Sequence, residues 1–113
     1  FSDAVHSWLD ERQAEPYDLG ALAAAFHVSP RTILRRLKAE TGQTPLAYLQ
    51  GERINAAKRL LESGTLSLAQ ITERVGYLDV ATFSTLFKRL AGQSPAQYRR
   101  GFNARAALEV QSA

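Results

Sequence analysis

Ser29-Pro30-Arg31-Thr32-Ile33-Leu34-Arg35-Arg36-Leu37-Lys38 returns fifty residues later as Asp79-Val80-Ala81-Thr82-Phe83-Ser84-Thr85-Leu86-Phe87-Lys88, and this recurrence decides the fold. Ile33 and Leu37 stand four apart, as do Phe83 and Phe87, so each copy is a helix with one apolar face turned to a core. Gly42-Gln43-Thr44-Pro45 reappears as Gly92-Gln93-Ser94-Pro95, and Tyr48 as Tyr98, at the same offset of 50. Upstream the offset is 49: Leu22-Ala23 and His27 match Ile71-Thr72 and Gly76, so the second copy carries one extra residue in its turn. A helix, a tight turn and a second helix outline a helix-turn-helix, and this chain has the outline twice.

Working outward, Val5, Trp8 and Leu9 share one face of a first helix that starts near Ser2 and stops before Pro16. Asp18 caps a second, whose apolar face is Leu19, Leu22, Ala23 and Phe26. Ser29 followed by Pro30 starts the third, since the serine hydroxyl accepts an orphan amide hydrogen and proline tolerates the first helical position; Gly42 stops it. Thr44-Pro45 repeats that signal and opens the longest helix, ending near Ser63-Gly64, with Leu46, Leu49, Ile54, Ala57 and Leu61 inward, a strut of roughly 30 Å. Ser67 or Thr65 caps the fifth helix, with Leu68, Ile71 and Val75 inside. Asp79 caps the sixth, and Ser94-Pro95 opens a short seventh ending near Gly101, with the residues from about Asn103 weakly specified and expected to fray. No segment alternates like a strand, and no polar linker divides the chain. The expectation is one all-α domain over residues 1–113, of about seven helices: a first unit at about 18–42, a linker helix at about 45–63, a second unit at about 67–91 and a closing helix at about 95–101. Both units are expected to share one helical body.

Composition narrows the function. The 113 residues are 45% hydrophobic, enough for a core, and the absence of cysteine excludes disulfides, zinc-thiolate sites and cysteine nucleophiles. No apolar run is long enough to span a bilayer and no signal-peptide pattern opens the chain, so it reads as soluble and cytoplasmic. It starts at Phe1 and contains no methionine, which reads as a piece of a longer protein. Its net charge of +3 is unevenly placed. Residues 1–18 hold Asp3, Asp10, Glu11, Glu15 and Asp18 against Arg12 alone, whereas residues 31–113 hold thirteen bases against six acids. The repeated part carries the positive field, which suits a polyanion such as DNA.

On the third helix Arg31, Leu34 and Arg35, with Arg36 and Lys38 at the margin, project away from Ile33 and Leu37. Arginine can donate two parallel hydrogen bonds to the O6 and N7 edge of guanine, a contact worth about 1–3 kcal/mol of discrimination. The same face of the sixth helix offers only Val80, Ala81, Ser84 and Thr85, small groups able to meet thymine methyls or phosphates, while Lys88 and Arg89 supply backbone charge. The division of labour is therefore unequal, the first unit reading sequence and the second mainly anchoring. Arg53 on the strut, reaching a phosphate or bracing the helix, and Arg99 complete the expected phosphate set.

These residues resemble the DNA-binding domain of the AraC/XylS transcriptional regulators. The resemblance covers about residues 17–102 and is carried by Gly76-Tyr77, Asp79, Phe83-Ser84, Phe87-Lys88-Arg89, Gly92, Ser94-Pro95 and Tyr98-Arg99-Arg100. It implies two helix-turn-helix units joined by a long helix, with the exposed face of each recognition helix in a major groove: Arg31, Leu34 and Arg35, then Val80, Ala81, Ser84 and Thr85. It also implies double-stranded DNA as partner, contacts with RNA polymerase where the site lies near a promoter, no cofactor, and any effector bound by another part of the protein. Two residues depart from the pattern, Thr85 where arginine is common and Thr72 where alanine is. Ser29-Pro30-Arg31-Thr32 and Ala39-Glu40-Thr41-Gly42 are similar to a branch with an amidotransferase-like domain upstream.

Blander readings apply elsewhere. His27 matches Gly76 and fits a turn needing positive φ. His6 and His27, with no cysteine, make no credible metal site. Asp79 is a cap rather than a base. Trp8, Tyr48 and Tyr98 are spaced as aromatics at the core or its edge. No phosphate loop or nucleophile motif supports an enzyme. The alternative is a helical protein-interaction module whose basic face meets an acidic partner.

Overall fold

The computed structural model describes residues 1–112. Among them are seven α-helices and no strand: α1 (Ser2–Glu11), α2 (Leu19–Ala25), α3 (Pro30–Thr41), α4 (Pro45–Ser63), α5 (Leu68–Arg74), α6 (Val80–Ala91) and α7 (Pro95–Ser112). The all-α class read from the repeat is thus the observed one. The chain divides into two compact units, Phe1–Arg53 and the residues from Ile54 onward.

In the first unit the buried cluster is Val5, Leu9, Leu22, Ala23, Ile33 and Leu37, with Phe1, Trp8, Tyr17, Leu19, Phe26, Val28 and Tyr48 packed against it. In the second it is Ile54, Ala57, Leu61, Ile71, Val75, Phe83, Leu86 and Phe87, bordered by Tyr77 and Tyr98 among others. These are two clusters, one in each unit. The periodicity of α4 explains the division. Tyr48 serves the first cluster, while Ile54, Ala57 and Leu61 serve the second, so one helix supplies apolar residues to both. Leu46, expected inward, is exposed, and buried Pro45 stands beside it.

Helix ends follow the cap chemistry. Thr44 Oγ1 accepts from the Ala47 amide at 3.1 Å, and Ser94 Oγ from the Gln97 amide at 3.1 Å. Ser67 and Gln70 form a reciprocal capping box, as do Ser94 and Gln97. The closing helix differs from expectation, running to Ser112 rather than ending near Gly101. Gly101 is a single weak link of about 1 kcal/mol in a helix, and Ala104, Arg105, Ala106, Ala107 and Leu108 beyond it are strong helix formers. Within this extension Phe102 and Ala106 are half-buried, while Leu108 and Val110 are exposed.

Candidate nucleic-acid interface

Each recognition helix is set up by its preceding turn. In the first unit the Val28 amide donates to Ala23 O and the His27 amide to Ala24 O, both at 3.1 Å. In the second the Tyr77 amide donates to Thr72 O at 3.0 Å and the Gly76 amide to Glu73 O at 3.1 Å. This is the six-to-one and five-to-two pair of a Schellman ending, which requires a left-handed residue. His27 (φ 57°) and Gly76 (φ 96°) supply it, and His27 is the one non-glycine with positive φ among the described residues. Thr72 is buried, and its hydroxyl donates to Leu68 O at 2.8 Å, so the departure from alanine adds no unsatisfied donor.

The caps are equally matched. Ser29 Oγ accepts from the Thr32 amide at 3.1 Å and donates to Thr32 Oγ1 at 2.8 Å. Asp79 accepts from the Thr82 amide at 2.7 Å and from Thr82 Oγ1 at 2.9 Å. These two hydrogen bonds, the amide foremost, hold the Asp79 carboxyl below the usual carboxylate range. At the other end Gly42 (φ 79°) and Gly92 (φ 81°) are left-handed, donating to Lys38 O and Lys88 O. Recognition helices fixed at both ends can present side chains with little backbone freedom.

On α3, Arg31, Arg35 and Lys38 are exposed and Leu34 is half-buried, opposite the fully buried Ile33 and Leu37. On α6, Val80, Ala81 and Thr85 are exposed and Ser84 is half-buried, opposite Phe83 and Phe87, with Lys88 and Arg89 exposed on the last turn. The Thr85 hydroxyl donates to Ala81 O at 3.0 Å. Leu78, just before the Asp79 cap, is 103% exposed. An aliphatic residue next to a core residue such as Tyr77 is ordinarily buried. The signal of Leu78 is positional: between Gly76-Tyr77 and Asp79 it is the residue by which the second turn exceeds the first.

Three of the expected phosphate ligands already have partners within the chain, two of them buried or half-buried and one, Arg36, exposed. Arg53 is 5% exposed, its Nε donating to Gln13 O at 2.7 Å and its Nη2 to Glu15 O at 2.6 Å. Arg99 is half-buried and donates from Nε to Leu61 O at 3.1 Å and from Nη2 to Leu66 O at 2.8 Å. In both, a planar fork satisfies two loop or helix-end carbonyls, which is bracing. Arg36 lies with its guanidinium carbon 3.9 Å from the centroid of Phe1 and its Nε 3.3 Å from a Glu40 carboxylate oxygen. The fork of arginine suits a buried carbonyl pair as well as a phosphate, so residue type could not separate the two roles.

The acidic first helix is tied to the first unit through aromatics. Tyr48 donates to both Asp10 carboxylate oxygens, at 3.0 and 3.1 Å, and its ring stacks on His6 with centroids 3.7 Å apart. Burial, then the Asp10 hydrogen bond and charge, push the Tyr48 phenol up to about 12. Its counterpart Tyr98 packs edge-on against Phe87 at 5.8 Å.

Two capped recognition helices, each behind a Schellman turn and each opposite a closed apolar core, define a double helix-turn-helix protein. A family model described as a helix-turn-helix domain matches residues 22–101. Over 95 residues the chain is 39% identical to the HTH-type transcriptional activator RhaS of Escherichia coli, covering 84% of this chain and 34% of that activator. The chain thus spans about a third of the length of the curated relatives it matches. The DNA-binding domain of the global transcriptional factor AdpA, solved in complex with a target DNA, is 36% identical with a TM-score of 0.85, over 92% of this chain and 94% of that one. The C-terminal domain of AraT, a response regulator from Geobacillus stearothermophilus, is 34% identical with a TM-score of 0.84, over 88% and 84%. The chain belongs to the AraC-type helix-turn-helix family of DNA-binding domains.

Proposed function

We propose that α3 reads base sequence and α6 mainly anchors when this domain binds its DNA. The domain binds double-stranded DNA sequence-specifically as part of a transcription regulator. What supports the division is the pair Arg31 and Arg35, exposed one turn apart on a helix capped at both ends, with no long side chain at the equivalent positions of α6. In this reading both arginines take guanine edges in a major groove, and Leu34 between them meets a thymine methyl. Val80, Ala81, Ser84 and Thr85 face the second groove. Lys38, Lys88 and Arg89 take phosphates; Arg53 and Arg99 leave that set because their guanidinium groups hold main-chain carbonyls.

One chain carrying both units calls for two DNA blocks about 10 base pairs apart, without any need for a palindrome. The parent protein works in the cytoplasm at the nucleoid, touching RNA polymerase where its site adjoins a promoter, and no catalytic step is assigned to this domain.

A salt titration against duplex DNA tests the reading. Log affinity should fall linearly with log salt at a slope of about −0.9 per phosphate neutralised, with a residual preference for one sequence at every salt concentration. Affinity that fell with salt but was identical for all duplexes would leave charge attraction alone. No measurable duplex binding would point to the protein-interaction module instead.

A further inference from the structure

We propose that Leu78 is a specificity-determining residue that reads a thymine methyl group in the DNA segment held by α6. The inference rests on the reading of α6 as a groove-entering helix and goes beyond it by naming the residue and the base.

Leu78 is 103% exposed, and no other large hydrophobic side chain among the described residues is as open to water. It is not a displaced core residue, because Tyr77 before it and Phe83 after it already fill the second core. It is the extra residue of the second turn: in the first unit Val28, packed against the core, is followed directly by the Ser29 cap, whereas here Leu78 stands between Tyr77 and the Asp79 cap. The N-terminal residues of a recognition helix approach base edges most closely. Val80, 36% exposed, and exposed Ala81 follow the cap, so the leading end of α6 is apolar around a single carboxylate.

Charge selects among DNA partners at this point. The Asp79 carboxylate, held ionised by Thr82, repels phosphates beside it and is already committed to the Thr82 amide and hydroxyl. A base edge is therefore favoured over backbone. Only thymine offers an apolar group in the major groove, its C5 methyl. A fully exposed leucine side chain with no hydrogen-bonding capacity is suited to that group. The two units then read different chemistry, guanine edges through arginines on α3 and a methyl through leucine at α6.

The test removes the methyl and nothing else. A duplex recovered by selection from a randomised pool is resynthesised with deoxyuridine replacing each thymidine in turn, and affinities are measured for the protein and for Leu78→Ala and Leu78→Ser. The expected result is one thymidine in the block contacted by α6 whose replacement weakens binding about fourfold, the worth of one buried methyl-sized group. The variants, with unchanged melting temperature, should bind the thymidine and deoxyuridine duplexes equally. Equal sensitivity of wild type and variants to every replacement would overturn the inference while leaving DNA reading intact. So would variants with unaltered DNA binding but lost transcriptional activation, which would assign Leu78 to a protein partner. A pool with no enriched sequence would overturn the underlying reading and the inference together.

Discussion

α3 and α6 each begin on a cap that accepts from the amide three residues on, and each ends on a left-handed glycine, yet Arg31, Arg35 and Arg36 of the one are Ala81, Thr85 and Leu86 of the other. The shared positions are those that packing and main-chain hydrogen bonding constrain: Ile33 and Leu37 against Phe83 and Phe87, Ser29 against Asp79, Gly42 against Gly92. The divergent ones face outward, where a side chain changes what is recognised without disturbing what is folded. Position 36 shows the boundary. Leu86 is buried in the second core, whereas the matching Arg36 lays its guanidinium over Phe1 and pairs with Glu40. The first unit thus closes one edge with a cation over an aromatic ring where the second uses an aliphatic side chain.

The largest effect should come from the cores. Phe83→Ala should cost about 3–5 kcal/mol, as for comparable large-to-small changes. Because the two clusters are separate, amide exchange should then rise in α5 and α6 while α2 and α3 keep their protection. Simultaneous loss in both units would break the comparison by making the cores one cooperative body.

Next come the braces. Replacing Arg53 or Arg99 by methionine removes two charged hydrogen bonds to carbonyls, and a loss of about 3 kcal/mol is expected from denaturant melts. The salt slope of DNA binding should not change. A slope reduced by about 0.9 in either variant would return that arginine to the phosphate set.

The recognition faces should differ in kind. Arg35→Ala should forfeit about 1–3 kcal/mol of discrimination at one guanine position, while Thr85→Ala at the matching place of α6 should stay within about 0.5 kcal/mol. Lys88→Ala should weaken all duplexes alike and lower the salt slope by about 0.9, seen by titrating specific and unrelated sequences in parallel.

The smallest effect is the pH response of the caps. Asp79 has a folded-state pKa below its ordinary 3.8, so its contribution is complete above about pH 4 and is lost as pH falls through the lowered value; Ser29 does not titrate. Amide exchange at the start of α6 should therefore rise in acid before that of α3. Asp79→Ser should abolish the difference.

Much of the fold was legible because the repeat wrote it twice. Helix starts at Pro30, Pro45 and Pro95 follow from serine or threonine before proline, and the turn at His27 from its match to Gly76. Three features were not legible. α7 passes Gly101 because one glycine in a helix costs less than the following alanines, arginine and leucine return. Arg53 and Arg99 hold carbonyls about 40 residues away or fewer, a pairing that depends on tertiary proximity. Leu78 is not marked by its type, since an aliphatic residue beside a core suggests burial; only its exposure shows otherwise.

Selection from a randomised duplex pool at fixed, near-physiological salt, carried out in parallel for the protein and Arg35→Ala, tests the unequal roles of the two units most directly. The account predicts two blocks about 10 base pairs apart. The stronger one, containing guanine, should fade in the Arg35→Ala pool while the weaker persists. Two blocks of equal strength, or an Arg35→Ala pool indistinguishable from wild type, would contradict it.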